Sequence, residues 1–305
     1  GFVSCRACGH VIKCPHCDVS LSQHGSGAAT RLVCHYCGYT TIQPGLCPVC
    51  GSKYISGFKA GTQKIEQVVK ARFPQARVLR MDMDTTRTKD GYEQILSAFS
   101  NHEADILIGT QMIVKGHDFP GVTLVGVLAA DLSLYISDYR ASERTFQLLT
   151  QAAGRAGRGD IPGNVIIQTY DPDHYSITTA KEQNYEAFYG QEIEYRKMMR
   201  YPPVWNMLYI LCASKNEAEA SEAAVALMGK IDQIVRENSE KIFSIGPSDA
   251  PVAKISDVYR KVIYVKTREY QTLVILKDGL EAFIKDNRLY QNVAVGFDFN
   301  PVNGF

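Results

Sequence analysis

The chain has 305 residues, 45% of them hydrophobic and 21% charged, with a formal net charge of +1. This length supports one full core with room for a second, and the near-zero charge points to neither a polyanion nor a membrane surface as partner. No apolar run is long enough for a membrane-spanning helix, and nothing is low-complexity or repeated apart from the cysteine pairs.

Eight of the nine cysteines fall in the first fifty residues, as Cys5/Cys8, Cys14/Cys17, Cys34/Cys37 and Cys47/Cys50. Each Cys-x-x-Cys turn aims two thiolates at one point, and two turns complete a tetrahedral shell, so four pairs predict two four-cysteine sites. Zinc is the expected ion because it is redox-silent and accepts a closed sulfur shell. Gly9, Gly38 and Gly51 directly follow a cysteine, where a knuckle turn takes positive φ. A disulfide-rich secreted module is the competing reading, but the pairing stops at Cys50. A thiol–disulfide enzyme needs one such pair beside a βαβ pattern, not four in a row.

The sixteen residues between Cys17 and Cys34 suit a zinc ribbon, which leaves the first and last pairs to close a second, nested site; a crossed pairing is the alternative. His10, His16, His24 and His35 lie in the same stretch and are expected beside the sites rather than in them. Four cations against Asp18 give residues 1–58 a net +3, which two zinc ions and eight thiolates bring near −1. The metallated module is therefore no electrostatic magnet for nucleic acid. Cys212, alone in an apolar run, reads as a core residue.

From Thr62 the periodicity alternates. Thr62 to Phe73 reads as a helix with Thr62 as N-cap, Ala76 to Met81 as a strand, Gly91 to Phe99 as a helix and Asp105 to Gly109 as a buried strand. Strands at Val122 to Ala129 and Asn164 to Thr169 flank a helix from Tyr139 to about Arg155. Alternation of this kind predicts a parallel sheet covered by helices, with ligands at the carboxyl ends of its strands. After Pro202-Pro203 come a strand (Met207 to Ala213), a helix (Asn216 to about Asn238), basic strands (Val252 to Lys266), a helix (Glu269 to Asp286) and a last strand (Asn292 to Phe299). This pattern predicts a separate α+β domain with a mostly antiparallel sheet. The expected domains are 1–55, 56–200 and 201–305.

Three middle segments carry chemistry. Gly61-Thr62-Gln63-Lys64 opens a helix whose free N–H groups, with Lys64, suit a phosphate. Ile108 to Pro120 leaves a buried strand with Thr110, Gln111, Lys115, Gly116 and Asp118, donors suited to a sugar-phosphate backbone and a carboxylate for a ribose or metal-bound water. In Arg144 to Arg158, the spacing of Gln151, Arg155 and Arg158 places them on one face of a helix end, with Gly154 and Gly157 permitting close approach. Two guanidiniums on one stripe match the oxygens of a transferring phosphate.

Gly109-Thr110-Gln111-Met112 through Lys115-Gly116 and Asp118-Phe119-Pro120, followed by Gln151-Ala152-Ala153-Gly154-Arg155-Ala156-Gly157-Arg158, resembles motifs V and VI of superfamily 2 helicases. With the cysteine pairs, Asp138 to Arg144 and Gly246 to Lys254, the chain resembles the primosomal protein N′ (PriA) family of replication-restart helicases over nearly its whole length. Ser248-Asp249, Lys261 and Gln63 depart from the usual family residues, which touches fine contacts of the last domain.

The resemblance implies an α/β fold: a RecA-like second helicase lobe with a parallel sheet, lacking its first strand, a two-zinc module of four-cysteine sites and a C-terminal α+β DNA-binding domain. It implies a bacterial, cytoplasmic, nucleoid-associated 3′→5′ DNA helicase driven by ATP and Mg. Its partners would be forked, single- and double-stranded DNA, other primosome proteins and single-strand DNA-binding protein. Arg155 and Arg158 would face the γ-phosphate, with Gln151 ordering the site. Thr62, Thr110, Gln111 and Lys115 would face DNA, with Gly116 and Asp118 coupling that contact to the nucleotide. Zinc would be held in the nested pairing, Cys5, Cys8, Cys47 and Cys50 around one ion and Cys14, Cys17, Cys34 and Cys37 around the other. Lys254, Arg260 and Lys261, with Lys266, Arg268, Tyr259 and Tyr264 nearby, would contact DNA by phosphate pairing and stacking.

No Gly-x-x-x-x-Gly-Lys-Ser/Thr loop and no Asp-Glu-x-His box occurs in these residues. The expectation is a C-terminal fragment that does not hydrolyse ATP alone, since an arginine finger acts on a nucleotide held elsewhere. The competing reading from another class is a non-enzymatic zinc-dependent DNA- or protein-docking module.

Overall fold

The computed structural model describes residues 3–24, 30–57, 61–82, 85–86, 91–114, 119, 121–136, 138–157, 162–237 and 241–302. The chain divides into two compact units, one made of 1–58 with 193–305 and the other of 59–192.

In the amino-terminal part of the first unit, β1 (Val3–Cys5) pairs antiparallel with β5 (Ile55–Gly57), and β2 (Ser22–His24), β3 (Arg31–Val33) and β4 (Thr40–Ile42) form a three-stranded antiparallel sheet. Val3, Leu21, Leu32 and Ile55 are buried among the cysteine sulfurs. These strands are three residues each, so the ladders only align the cysteine turns.

The second unit runs α1 (Thr62–Arg72), β6 (Val78–Met81), α2 (Gly91–Ser100), β7 (Ile106–Gly109), β8 (Leu124–Val127), α3 (Ala141–Ala153), β9 (Asn164–Ile167), α4 (Tyr175–Lys181) and the start of α5 (Tyr185–Met199). The strands pair in parallel, Val78 opposite Ile106 and Leu124 opposite Asn164. Among the described residues they form two separate ladders, each with its own core. Met81, Leu96 and Phe119 pack beside β6–β7; Ala130, Phe146, Leu149, Ile177, Ala180 and Phe188 pack beside β8–β9, the Phe146 and Phe188 rings stacked at 4.2 Å.

Several element ends differ from expectation, and three of them shape the second unit. The N-cap of α1 is Gly61, because the Thr62 hydroxyl donates to Asp82 Oδ2 at 2.6 Å instead of capping its own helix. β8 stops at Val127, ahead of Ala129 in the left-handed region at φ 53°. α3 stops at Ala153, and Gly154 to Gly157 turn away: Arg155 and Ala156 donate to the carbonyls three residues back, and Gly157 takes φ +74° and donates to Val122 O.

Beyond α5 come β10 (Asn206–Ser214), α6 (Glu217–Glu237), β11 (Phe243–Ile255), β12 (Val258–Thr267), α7 (Tyr270–Lys285) and β13 (Ala294–Phe299), in an antiparallel sheet of order β11-β12-β10-β13. Alternation assigns the faces. Leu208, Ile210 and Cys212 point to one side of β10 and Tyr209 and Leu211 to the other. The first side meets Ile263 and Val265 of β12, Ala223, Ala224, Leu227 and Ile231 of α6, and Leu273, Leu276 and Leu280 of α7. Cys212 is thus a core residue, its thiol pushed up to about 12 by burial. No helix among the described residues is long and apolar enough to cross a membrane.

Candidate functional site

The four Cys-x-x-Cys turns share one local design. The first cysteine of each donates its N–H to the carbonyl five residues on: Cys5 to His10, Cys14 to Val19, Cys34 to Tyr39 and Cys47 to Ser52, at 2.8–2.9 Å. Its sulfur accepts N–H groups from two and three residues on, as Cys5 does from Ala7 and Cys8, and Cys34 from Tyr36 and Cys37. In three turns a positive-φ glycine closes the loop on the first cysteine's carbonyl: Gly9 to Cys5, Gly38 to Cys34 and Gly51 to Cys47, at 2.9–3.0 Å. The fourth turn carries Asp18 there and donates elsewhere, to Lys254 O at 2.8 Å.

The turns assemble in the nested order. Cys5, Cys8, Cys47 and Cys50 form one cage, and Cys14, Cys17, Cys34 and Cys37 the other, each with its sulfurs within 4.8 Å of one another. Cys5 and Cys50 sulfurs lie 3.6 Å apart, Cys8 and Cys47 3.7 Å, and Cys14 and Cys37 3.6 Å. Four sulfurs at ~2.3 Å from a tetrahedral zinc stand roughly 3.8 Å apart, so the donor set fits that ion. Ionisation points the same way. Burial opposes it at Cys5 and Cys34, yet the N–H donors prevail and bring them to about 6 and about 7. Burial and the crowding Cys34 and Cys37 thiols drive Cys17 up to about 12. A cation among the four sulfurs of a cage offsets both the burial and the mutual crowding that oppose ionisation. The histidines stay outside both cages: His24 and His35 meet each other at 3.2 Å, and His16 meets Asp257 at 2.7 Å.

In the second unit, Thr110 and Gln111 are at the surface where the chain leaves β7. Gly109 is required there, because a Cβ would stand 2.6 Å from Met81 O across the ladder. Lys115, Gly116 and Asp118 lie outside the described residues, as does Arg158. Gln151 is exposed on the last turn of α3 and Arg155 is half-buried in the turn beyond it. The expected shared helical face therefore ends before Arg155, because the chain has turned by then. Gly157 permits that turn: a Cβ would stand 2.7 Å from Gly163 N.

Two carboxylates at strand ends escaped the sequence reading. Asp82 follows β6, accepts from Thr62 and Thr85, and pairs with Arg80 at 3.2 Å. Asp131, 3% exposed, accepts from Thr169 Oγ1 at 2.5 Å and from the Tyr170 and Asp171 N–H groups, which hold its carboxyl below the usual range. It ties the ends of β8 and β9 together. Position alone signals them, since each lies within four residues of the carboxyl end of a parallel strand.

The basic residues of the last domain face inward more than the sequence suggests. Lys254 Nζ donates to Pro15 O at 2.8 Å, Arg260 donates to Val252 O at 3.2 Å, and Lys261 pairs with Asp249 at 2.5 Å and Glu217 at 3.5 Å. Lys266 is buried over the Tyr201 ring at 3.8 Å. A concavity of about 500 Å³ gathers other cations: Arg200, Lys241 and Arg268, all exposed, surround Trp205 and Phe243 beside Glu269. The Arg200 guanidinium lies 3.5 Å from the Phe243 ring centre, and Arg268 lies 5.4 Å from that of Trp205. Arg200, Trp205 and Lys241 carry no motif and were missed; only the fold brings them to Arg268.

Comparison with known proteins assigns parts of the chain to families. The Primosomal protein N C-terminal domain family matches residues 197–302, the Helicase conserved C-terminal domain family residues 53–160, and the PriA DNA helicase Cys-rich region domain family residues 14–41. Replication restart protein PriA of Bacillus subtilis (strain 168) is 47% identical over 98% of this chain and 37% of its own length. The protein of that name from Synechocystis sp. is 44% identical over 90% of this chain and 33% of its own, and that of Borreliella burgdorferi 35% over 99% and 44%. The chain thus spans between a third and a half of the length of these relatives.

Proposed function

The chain belongs to the replication restart protein PriA family, and from that premise we propose that it supplies the arginine half of an ATP site, a zinc module and a DNA-contacting domain to a 3′→5′ DNA helicase that reloads replication at abandoned forks. The observation that carries this reading is the presence, in one chain, of a helicase C-terminal domain and two four-cysteine cages.

In this reading Arg158 and Arg155 stabilise charge on the transferring γ-phosphate of ATP with Mg, and Gln151 orders the approach. Thr110, Gln111 and Lys115, with Thr62 across the β6 end, contact the DNA backbone, and Gly116 and Asp118 relay that contact to the nucleotide. DNA contact by the last domain falls on Arg200, Lys241 and Arg268 more than on Lys254 and Lys261, whose charges are already engaged. Three exposed cations beside aromatic rings suit a phosphate backbone. Zinc, when bound, supplies cross-links; no chemical step passes through it.

The test is Arg158→Ala in a protein of family length carrying this chain. DNA-stimulated ATP hydrolysis is expected to fall by about 10³-fold or more while DNA affinity persists. Unchanged hydrolysis overturns the motor reading and favours a docking module.

A further inference from the structure

Three of the four cysteine turns close on themselves through a glycine, and the Cys14–Cys17 turn does not. Its closing donor, Asp18 N–H, bonds instead to Lys254 O at 2.8 Å, 236 residues away. Around that bond the β11–β12 hairpin adds others. Ser256 N–H donates to the Cys17 sulfur at 3.2 Å, Asp257 N–H to His16 O at 2.9 Å, and Lys254 Nζ to Pro15 O at 2.8 Å. The Asp257 carboxylate meets His16 Nδ1 at 2.7 Å, and Ile255 packs on the apolar cluster of the module. The hairpin is shaped for this contact. Ser256 and Asp257 form its two-residue turn, both at positive φ (51° and 61°), a geometry in which Asn-Gly or Asp-Gly is the relaxed choice. Ordinary side chains are held there while both N–H groups point at the zinc module.

We propose that the β11–β12 hairpin is the missing closure of the Cys14/Cys17/Cys34/Cys37 site, so that metal held there and docking of the C-terminal sheet strengthen each other. An N–H donor to a ligating sulfur stabilises its thiolate, and partners one shell outside the metal are worth about 10–100-fold in affinity. Linkage then requires the converse: metal in this site holds the hairpin in place. The other site closes without the C-terminal domain, so its metal is indifferent to the hairpin.

The proposal rests on the two-zinc reading, and the test separates them. The full zinc-loaded chain is mixed with a chromophoric chelator and zinc release followed in time. Release of fewer than two zinc ions overturns the two-zinc reading itself. With two released, Asp257→Lys, which replaces the carboxylate facing His16 by an ammonium beside that of Lys254, is expected to accelerate one phase about tenfold and leave the other unchanged. Adding Asp18→Gly, which lets the turn close on Cys14 as its three counterparts close, is expected to restore the slow release. Two phases moving together, neither moving, or no rescue by Asp18→Gly overturns the coupling. A second measurement guards against misfolding: in the chain carrying Cys34→Ser, amide exchange at Ser256 and Asp257 is expected to speed up, while Cys50→Ser leaves both amides protected. Equal exposure in the two variants overturns the proposal.

Discussion

The zinc module and the C-terminal sheet share one compact unit, yet their interiors have little in common. In residues 3–57 the strands are three residues long and Val3, Leu21, Leu32 and Ile55 are packed among sulfurs. In residues 206–299 a four-stranded sheet and two helices enclose fifteen buried side chains. Fixing a residue's backbone costs about 1–2 kcal/mol, which short ladders and four apolar side chains do not offset over fifty residues. Metal ligation has to supply the remainder in the module, whereas apolar burial suffices in the sheet. The lesson is that one folded unit is assembled from a part that chelation dissolves and a part that only a cavity weakens.

The largest expected effect is therefore zinc removal. Structural zinc contributes about 10–16 kcal/mol in small peptides, so a strong chelator should abolish amide protection in residues 3–57 while β10, β12 and the faces of α6 and α7 stay protected. Hydrogen exchange with and without chelator reads this directly, and equal protection in the two conditions would break the comparison. Next comes the sheet. Leu276, 1% exposed, joins α7 to the core, and Leu276→Ala should cost about 2–5 kcal/mol through lost burial and the cavity left behind. Denaturant unfolding measures the loss. The weakened sheet still folds in the absence of denaturant, so its hairpin stays docked and two zinc ions should still be bound per chain; a fall in zinc content would show that Leu276→Ala unfolds the sheet outright.

What the sequence discloses follows from how local each determinant is. The cysteine cages were legible because four spaced pairs and three glycines encode them within about fifty residues. Most C-terminal elements were legible because period-two alternation in β10 and the 273/276/280 spacing in α7 are written in consecutive residues; β11 opens at Phe243, ahead of the expected Val252, because a register shift between Ile245 and Ser248 interrupts its pairing. Asp18 looked like any surface acid, since the carbonyl that replaces its glycine-type closure belongs to Lys254. The end of α3 was overrun because Arg155 and Ala156 favour helix, and only the approach of Gly157 to Gly163 shows why the chain must turn. The basic stretch read as a DNA surface because a sequence shows charges without their partners: Asp249, Glu217 and the Pro15 carbonyl become visible only in three dimensions.

The smallest effect sharpens the comparison through pH. Thiolate ligands weaken as acid protonates them, so the module loses stability toward low pH. The sheet has a group acting at the other end. Burial, and then the charge of Arg200, lower Lys266 to about 8. Unfolded, it titrates near about 10.4. Below about pH 8 both states carry the proton and this group adds no slope. Between there and the unfolded value the folded state has released its proton while the unfolded state keeps it. Stability contributed by Lys266 therefore rises with pH across that window. Lys266→Met removes the titration, together with the ammonium that sits over the Tyr201 ring and donates to Met199 O, and leaves an unbranched apolar chain in its place. Unfolding free energies at about pH 7 and about pH 10 should then show the parent gaining on the variant as pH increases; a gap that stays constant or narrows would mean that Lys266 keeps its proton in the folded sheet.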